Sequence, residues 1–179
     1  MLNHPITVSE SIQLEVADAK FSEQIYETVR RNKEHLSTFL DWPKQVTRPT
    51  DSRHFMTSAA ASHAAATSKT FVILFNDTPI GIIGFNSIDK QGKTASIGYW
   101  LDEQFQGRGI ISKSLKCLLE NASRNNFLNH FTLKCATHNK KSNSVALRNG
   151  FTFEGILKEA EIINGVYHDQ NIYSKTIKA

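Results

Sequence analysis

With 179 residues, 40% hydrophobic and 21% charged, the chain has the makeup of one ordinary globular domain spanning 1–179 and is too short for two separate cores. Its 21 basic and 17 acidic residues leave a net charge of +4, dispersed along the chain, which argues against a nucleic-acid-binding face and mildly favours an acidic partner. The two cysteines, Cys117 and Cys135, stand in no C-x-x-C, no apolar run approaches the ~20 residues of a membrane span, and the start lacks the form of a signal peptide. A soluble cytoplasmic protein with reduced thiols and no membrane contact is the expectation.

Ile12, Leu14 and Val16 alternate with polar neighbours as a strand, and Asp18 is placed to cap the helix after it. Phe21, Ile25, Val29, Leu36 and Leu40 recur at near-helical spacing, as two successive helices, until Asp41-Trp42-Pro43 breaks the pattern. Pro49 and Thr50 open a third helix that runs to Ala66, with Phe55, Ala59 and His63 on one face. Thr70–Phe75 and Ile80–Phe85 form a hairpin across Asn76-Asp77-Thr78-Pro79, and Ala95–Leu101 extends it to an antiparallel meander. After a glycine-containing loop, Ile111, Leu115, Leu118, Leu119 and Ala122 make one apolar helical stripe. Phe131, Leu133 and Cys135 alternate as a strand, Ser142–Asn149 forms a short helix stopped by Gly150, and two last strands meet at Asn164-Gly165. The fold class is therefore α/β, with a mixed, mostly antiparallel sheet flanked by helices.

Strand, glycine loop and amphipathic helix together make an anion site, because glycine lets backbone N–H groups approach a phosphate and the helix start adds its positive dipole end. Here the segment is Gln106-Gly107-Arg108-Gly109-Ile110-Ile111-Ser112. A tight turn that uses glycine for its backbone angles is the alternative; Arg108 either meets the phosphate or is a solvated surface arginine. The dinucleotide pattern fails at Ser112, where its third glycine belongs, and Gly92-Lys93-Thr94 lacks the opening glycine of a P-loop, since position 87 is Ser87. The seven histidines form no zinc spacing, so no metal is expected.

In this segment the sequence resembles the Gcn5-related N-acetyltransferase (GNAT) superfamily, whose Q/R-x-x-G-x-G/A signature sits on Gln106–Ile111 with Ile111 at the small-residue position. Asn139-x-x-Ser142-x-x-Val145 and Asn149-Gly150-Phe151-x-x-Glu154-Gly155 look like its second cofactor segment. Ala160-Glu161-x-x-x-Asn164-Gly165-x-Tyr167-x-Asp169 looks like the C-terminal hairpin of its ribosomal-protein subgroup, RimJ/RimL, as do Asp41-Trp42-Pro43 and Gly98-Tyr99-Trp100-Leu101-Asp102. The resemblance implies the GNAT fold, acetyl-CoA as co-substrate and transfer of its acetyl group to the N-terminal amine of a ribosomal protein, the large-subunit stalk protein. It also implies a possible homodimer. A small-amine acetyltransferase for polyamines or antibiotics, marked by a row of acidic residues, is one rival. A non-catalytic binding module is another.

Amine attack on a thioester needs a proton acceptor, an oxyanion donor and a proton for the thiolate. The resemblance puts Glu161 at the acceptor site as general base and assigns the oxyanion donor to a backbone N–H at Trp100 or Leu101, on a bulged strand. Ser142 either protonates the thiolate or caps its helix. Asn139 and Asn143 either bond the pantetheine arm or fix the turn. His138 and His168 read as structural or exposed, Cys135 and Phe39 as core, and Trp42 as core or cleft wall.

Overall fold

Alternation of β-branched and aromatic residues with helical stripes gives a chain whose central strands are buried on both faces over residues 71–74 and 79–85. The computed structural model describes residues 2–124 and 127–177. In chain order the elements are β1 (Ile6–Thr7), β2 (Ile12–Val16), α1 (Ser22–Arg31), α2 (Lys33–Leu36), α3 (Pro49–Ala65), β3 (Lys69–Phe75), β4 (Thr78–Asp89) and β5 (Thr94–Leu101). They continue with α4 (Ile110–Ser123), β6 (His130–Ala136), α5 (Lys140–Arg148), β7 (Thr152–Ile163) and β8 (Val166–Thr176). One sheet of order β1-β2-β3-β4-β5-β6-β8-β7 runs through the molecule. All its pairings are antiparallel except β5 with β6.

The expected elements are present, with local differences. Asp18 caps a 3-10 turn, accepting from Lys20 N–H at 2.8 Å, and α1 comes directly after it. The β3–β4 turn is only Asn76-Asp77, both at positive φ, the conformation that matches strand twist in a two-residue hairpin. Thr78 and Pro79 already belong to β4, and the register shifts opposite Pro79, which has no N–H to give the ladder. Asn164-Gly165 repeats the positive-φ pair at the β7–β8 turn.

Strand alternation sorts the core onto two faces. Phe71, Ile73, Ile83 and Phe85 pack with Leu115 and Leu118 of α4, while Val72, Leu74 and Ile82 pack with Ile25 and Val29 of α1 and Met56 of α3. At 25 cal/mol per Å² each such side chain contributes about 2 kcal/mol of burial, which fixes the register of the central strands. β5 and β6 are paired from Thr94/His130 to Ile97/Leu133 and no farther, whereas β6 stays paired to β8 up to Ala136/Gln170. Beyond Ile97 the two strands part. That splay opens a cleft of about 2070 Å³ running between the α4 side of the sheet and the α1–α3 side.

Candidate active site

One wall of the cleft is the loop from β5 into α4. Gly107 and Gly109 have φ of 75° and 73°, where a side chain would be strained. Gly109 occupies the cap position of α4, and Lys113 is the first residue of the helix whose N–H reaches a carbonyl, Gly109 O at 3.0 Å. The N–H groups of Ile110, Ile111 and Ser112 are left at the helix start, where an anion is stabilised. Ile110 and Ile111 themselves are buried in the core, so only their backbone reaches the cleft. Arg108 turns away: its Nη2 donates to Gln104 O at 3.0 Å and its guanidinium stands over Phe105. The structure favours the solvated reading of that side chain.

Across the splay, Ser142 lies on α5. It is not the cap. Asn139 is, accepting from Ser142 N–H through Oδ1 at 3.2 Å, so α5 begins at Lys140 rather than Ser142. The Ser142 hydroxyl instead meets the Tyr99 hydroxyl of β5 at 2.8 Å. Burial pushes the Tyr99 phenol far above its ordinary range, against the smaller pull of the Ser142 bond, so it stays protonated. Beside them Cys135 is buried, and burial raises its thiol likewise, which makes it a poor nucleophile. Asn143 departs from the expectation of a pantetheine ligand. Its Nδ2 donates to Ala136 O and Asn139 O, and its Oδ1 accepts from Asn171 Nδ2 and Tyr173 Oη at 2.6 and 2.7 Å. All its capacity is used in tying α5 to β8.

The oxyanion donor also needs correction. β5 pairs with β4 without a shift from Gly81/Leu101 to Phe85/Ile97, and the irregularity lies between Phe85 and Ser87 of β4. Asp102 N–H bonds Ile80 O at 2.8 Å, so by antiparallel alternation Trp100 N–H also turns to β4, while Tyr99 and Leu101 N–H face the splay. Of the two expected donors, Leu101 is therefore the one whose N–H faces the splay, while Trp100 contributes its indole to the opposite side.

The second wall is assembled from distant segments. Glu161 lines the cleft from β7 and its Oε2 accepts from Gln170 Nε2 of β8 at 2.6 Å. A register shift between Leu157 and Glu161 aims it inward, with Glu159 at positive φ and its N–H held by Asp169 Oδ1 at 2.9 Å. The Asp169 carboxyl is held below the usual range chiefly by Lys158, so this brace persists at neutral pH. Asn164 clasps the hairpin to the α2 side through Asp41 Oδ1 and Ser37 O. Trp42 lines the cleft with its ring centre 6.1 Å from that of Trp100. Phe39 is cleft wall rather than core, stacked on His138, which leans on His168. Sequence reasoning missed Tyr99 and Gln170, whose roles come from partners far along the chain.

The cleft-lining carboxylates are Asp51, Glu103 and Glu161, Asp51 being engaged by the backbone of Thr47 and Arg48. They make no acidic row. Among the described residues no three His, Cys, Asp or Glu side chains group as metal ligands.

Residues 14–152 match the acetyltransferase (GNAT) domain family. The ribosomal-protein-serine acetyltransferase of Escherichia coli is 40% identical over 176 residues, 98% of either chain. A solved RimL structure, a ribosomal L7/L12 α-N-protein acetyltransferase in complex with coenzyme A, superposes with TM-score 0.94 at 39% identity, covering 97% of this chain and 98% of that one. The microcin C7 self-immunity acetyltransferase MccE, in complex with acetyl-CoA and AMP, reaches TM-score 0.93 at 38% identity over 95% and 94%. The glycine loop, splayed strands and hairpin are thus those of a known enzyme architecture, and the chain belongs to the GNAT acetyltransferase family.

Proposed function

We propose that residues 1–179 form one acetyltransferase domain that moves the acetyl group of acetyl-CoA to the N-terminal α-amine of a cytoplasmic ribosomal protein, the stalk protein. The observation that carries this is the end-to-end 40% identity with a ribosomal-protein-serine acetyltransferase, with L7/L12 as the acceptor in the RimL structure the chain resembles, joined to a cleft that has the glycine loop on one wall and Glu161 on the other. Acetyl-CoA supplies the activated thioester. The backbone of Gln106, Gly107, Gly109, Ile110, Ile111 and Ser112 holds its pyrophosphate, and Asn139 lies along the arm. Leu101 N–H stabilises the oxyanion. Glu161, oriented by Gln170, accepts the proton that the amine sheds as nitrogen bonds to the carbonyl carbon and the C–S bond breaks. An α-amine titrates at roughly 8, so a carboxylate suffices where a lysine acceptor would need a stronger base. Ser142 gives its proton to the departing sulfur and regains one from solvent; Tyr99, held neutral, donates to Ser142 Oγ and points that hydrogen at the sulfur.

β7 is a twelve-residue edge strand with Ile156, Leu157 and Ile162 exposed. Such an edge is covered in native proteins, and a second copy paired across it would do so; the mass in solution tests this.

The likeness to the self-immunity enzyme carries a second reading, a small amine-bearing acceptor lying against the Trp42–Trp100 wall. Intact-mass analysis of purified stalk protein incubated with the chain and acetyl-CoA separates the two. Gain of one acetyl group at the N-terminal residue is expected. An unmodified stalk protein, with small amines consuming acetyl-CoA in parallel, overturns the ribosomal reading.

A further inference from the structure

Gln106, the first residue of the glycine loop, is gripped from both sides. Lys141 Nζ on α5 donates to its Oε1 at 2.7 Å, and its Nε2 stands 2.8 Å from Nε2 of His35 on α2. An amide nitrogen only donates, so His35 Nε2 accepts and the imidazole proton sits on Nδ1, which faces Glu103 Oε1 at 3.5 Å. Donation therefore runs one way, from Lys141 to Gln106 and from Gln106 to His35, with the Glu103 carboxylate a charged neighbour of the ring rather than a hydrogen-bond partner. Flipping the amide would set its NH2 against the lysine ammonium, which has no acceptor, so the Lys141 contact fixes the amide orientation and with it the acceptor role of His35 Nε2.

We propose that His35 is a positioning residue for acetyl-CoA binding. It needs no contact with the cofactor. By fixing the Gln106 side chain immediately before Gly107, it holds the backbone at the point where φ turns positive and keeps the N–H groups of the loop and of α4 aimed at the pyrophosphate. The loop would otherwise have to be ordered on binding, at a cost in affinity. His35 can hold it because α2 is itself anchored. Leu36 beside it is buried, and the His35 imidazole packs edge-on to Phe39, with ring centres 6.4 Å apart. The acceptor wall thus braces the cofactor wall. This rests on the proposed acetyl-CoA site at the same loop and adds the residue that shapes it.

The test uses the full chain with His35→Ala, His35→Gln and Gln106→Ala, measuring coenzyme A affinity by calorimetry and the split between KM for acetyl-CoA and kcat. A lost neutral hydrogen bond weakens coenzyme A binding and raises KM about fivefold for His35→Ala, with kcat within about twofold. Gln places an acceptor oxygen near the position of Nε2, so His35→Gln returns affinity to within about twofold of the wild type. Gln106→Ala matches His35→Ala, and the double variant is no worse than either. Unchanged affinity in His35→Ala, no rescue by Gln, or additive losses in the double variant overturn the proposal. A wild-type chain that fails to bind coenzyme A removes the cofactor reading beneath it, an outcome distinct from normal binding with an indifferent His35.

Discussion

The two walls of the cleft are made in different ways. The cofactor wall is largely backbone: two glycines at positive φ, the start of α4 and the N–H groups of one parted strand, all within Tyr99–Ser112. The acceptor wall is side chains, Phe39, Trp42, Trp100, Glu161 and Gln170, brought together from four segments by the sheet and by the clasp of Asn164 on Asp41 and Ser37. A wall of backbone binds what the whole family shares, whereas a wall of side chains can change acceptor without disturbing the fold. This explains how the chain can resemble a ribosomal-protein enzyme and a self-immunity enzyme equally well.

The difference predicts that damage to each wall shows in a different kinetic constant. Glu161→Gln keeps the shape and the Gln170 partner but removes the proton acceptor; kcat falls about 100-fold while coenzyme A affinity holds. Stopped kinetics with intact affinity support it, and an unchanged kcat removes Glu161 as base. On the other wall, Gly109→Val forces a β-branched residue into the left-handed region, which costs roughly 1–2 kcal/mol. KM for acetyl-CoA rises about tenfold, with the acceptor KM little changed; a rise in the acceptor KM alone would break the division between the walls.

The same division decides what can be read from the sequence. Gly107, Gly109 and the stripe Ile111–Ala122 are local, and periodicity plus one motif locates them to the residue. The hairpins are also legible, since turn dipeptides such as Asn164-Gly165 announce them. Asn143 shows the limit. An amide beside a cofactor motif looks like a ligand until Asn171 and Tyr173, on a strand 28 and 30 residues away, are seen to use its oxygen. Ser142 as a cap fails similarly, because Asn139 three residues earlier offers a carboxamide oxygen to the same helix start. Phe39 reads as core in the sequence because hydrophobicity does not say which side of a wall a ring is on.

Tyr99 sits where the walls meet. Tyr99→Phe removes the donor to Ser142 without opening a cavity, leaving the serine hydrogen free to turn away from the sulfur. A neutral hydrogen bond is worth about 1 kcal/mol, so kcat drops roughly fivefold and coenzyme A affinity stays. Ser142→Ala in the Tyr99→Phe background then adds less than it does alone; fully additive losses would show that the two hydroxyls act separately.

The smallest expected effect comes from below the acceptor wall. His63 on α3 is buried, its Nε2 2.6 Å from Leu2 O and its Nδ1 3.2 Å from Thr70 O, edge-on to Phe71. Lys69 beside it donates to Asn3 Oδ1 and His63 O. Desolvation lowers the His63 pKa, and the neighbouring Lys69 cation lowers it further, against the two carbonyls. The unfolded imidazole titrates near 6.5, so as pH falls below that value the unfolded chain takes up a proton the folded chain resists. Stability contributed by His63 is present above about pH 6.5 and is lost as pH falls toward the folded value. Thermal melts at pH 7.5 and 5.5 should show Tm dropping by a few degrees in the wild type and less in His63→Gln, which cannot charge. Because α3 lines the acceptor side of the cleft, any loosening at pH 5.5 raises the acceptor KM first. Equal Tm losses in both proteins would assign the acid sensitivity to groups elsewhere and leave the footing of the acceptor wall independent of pH.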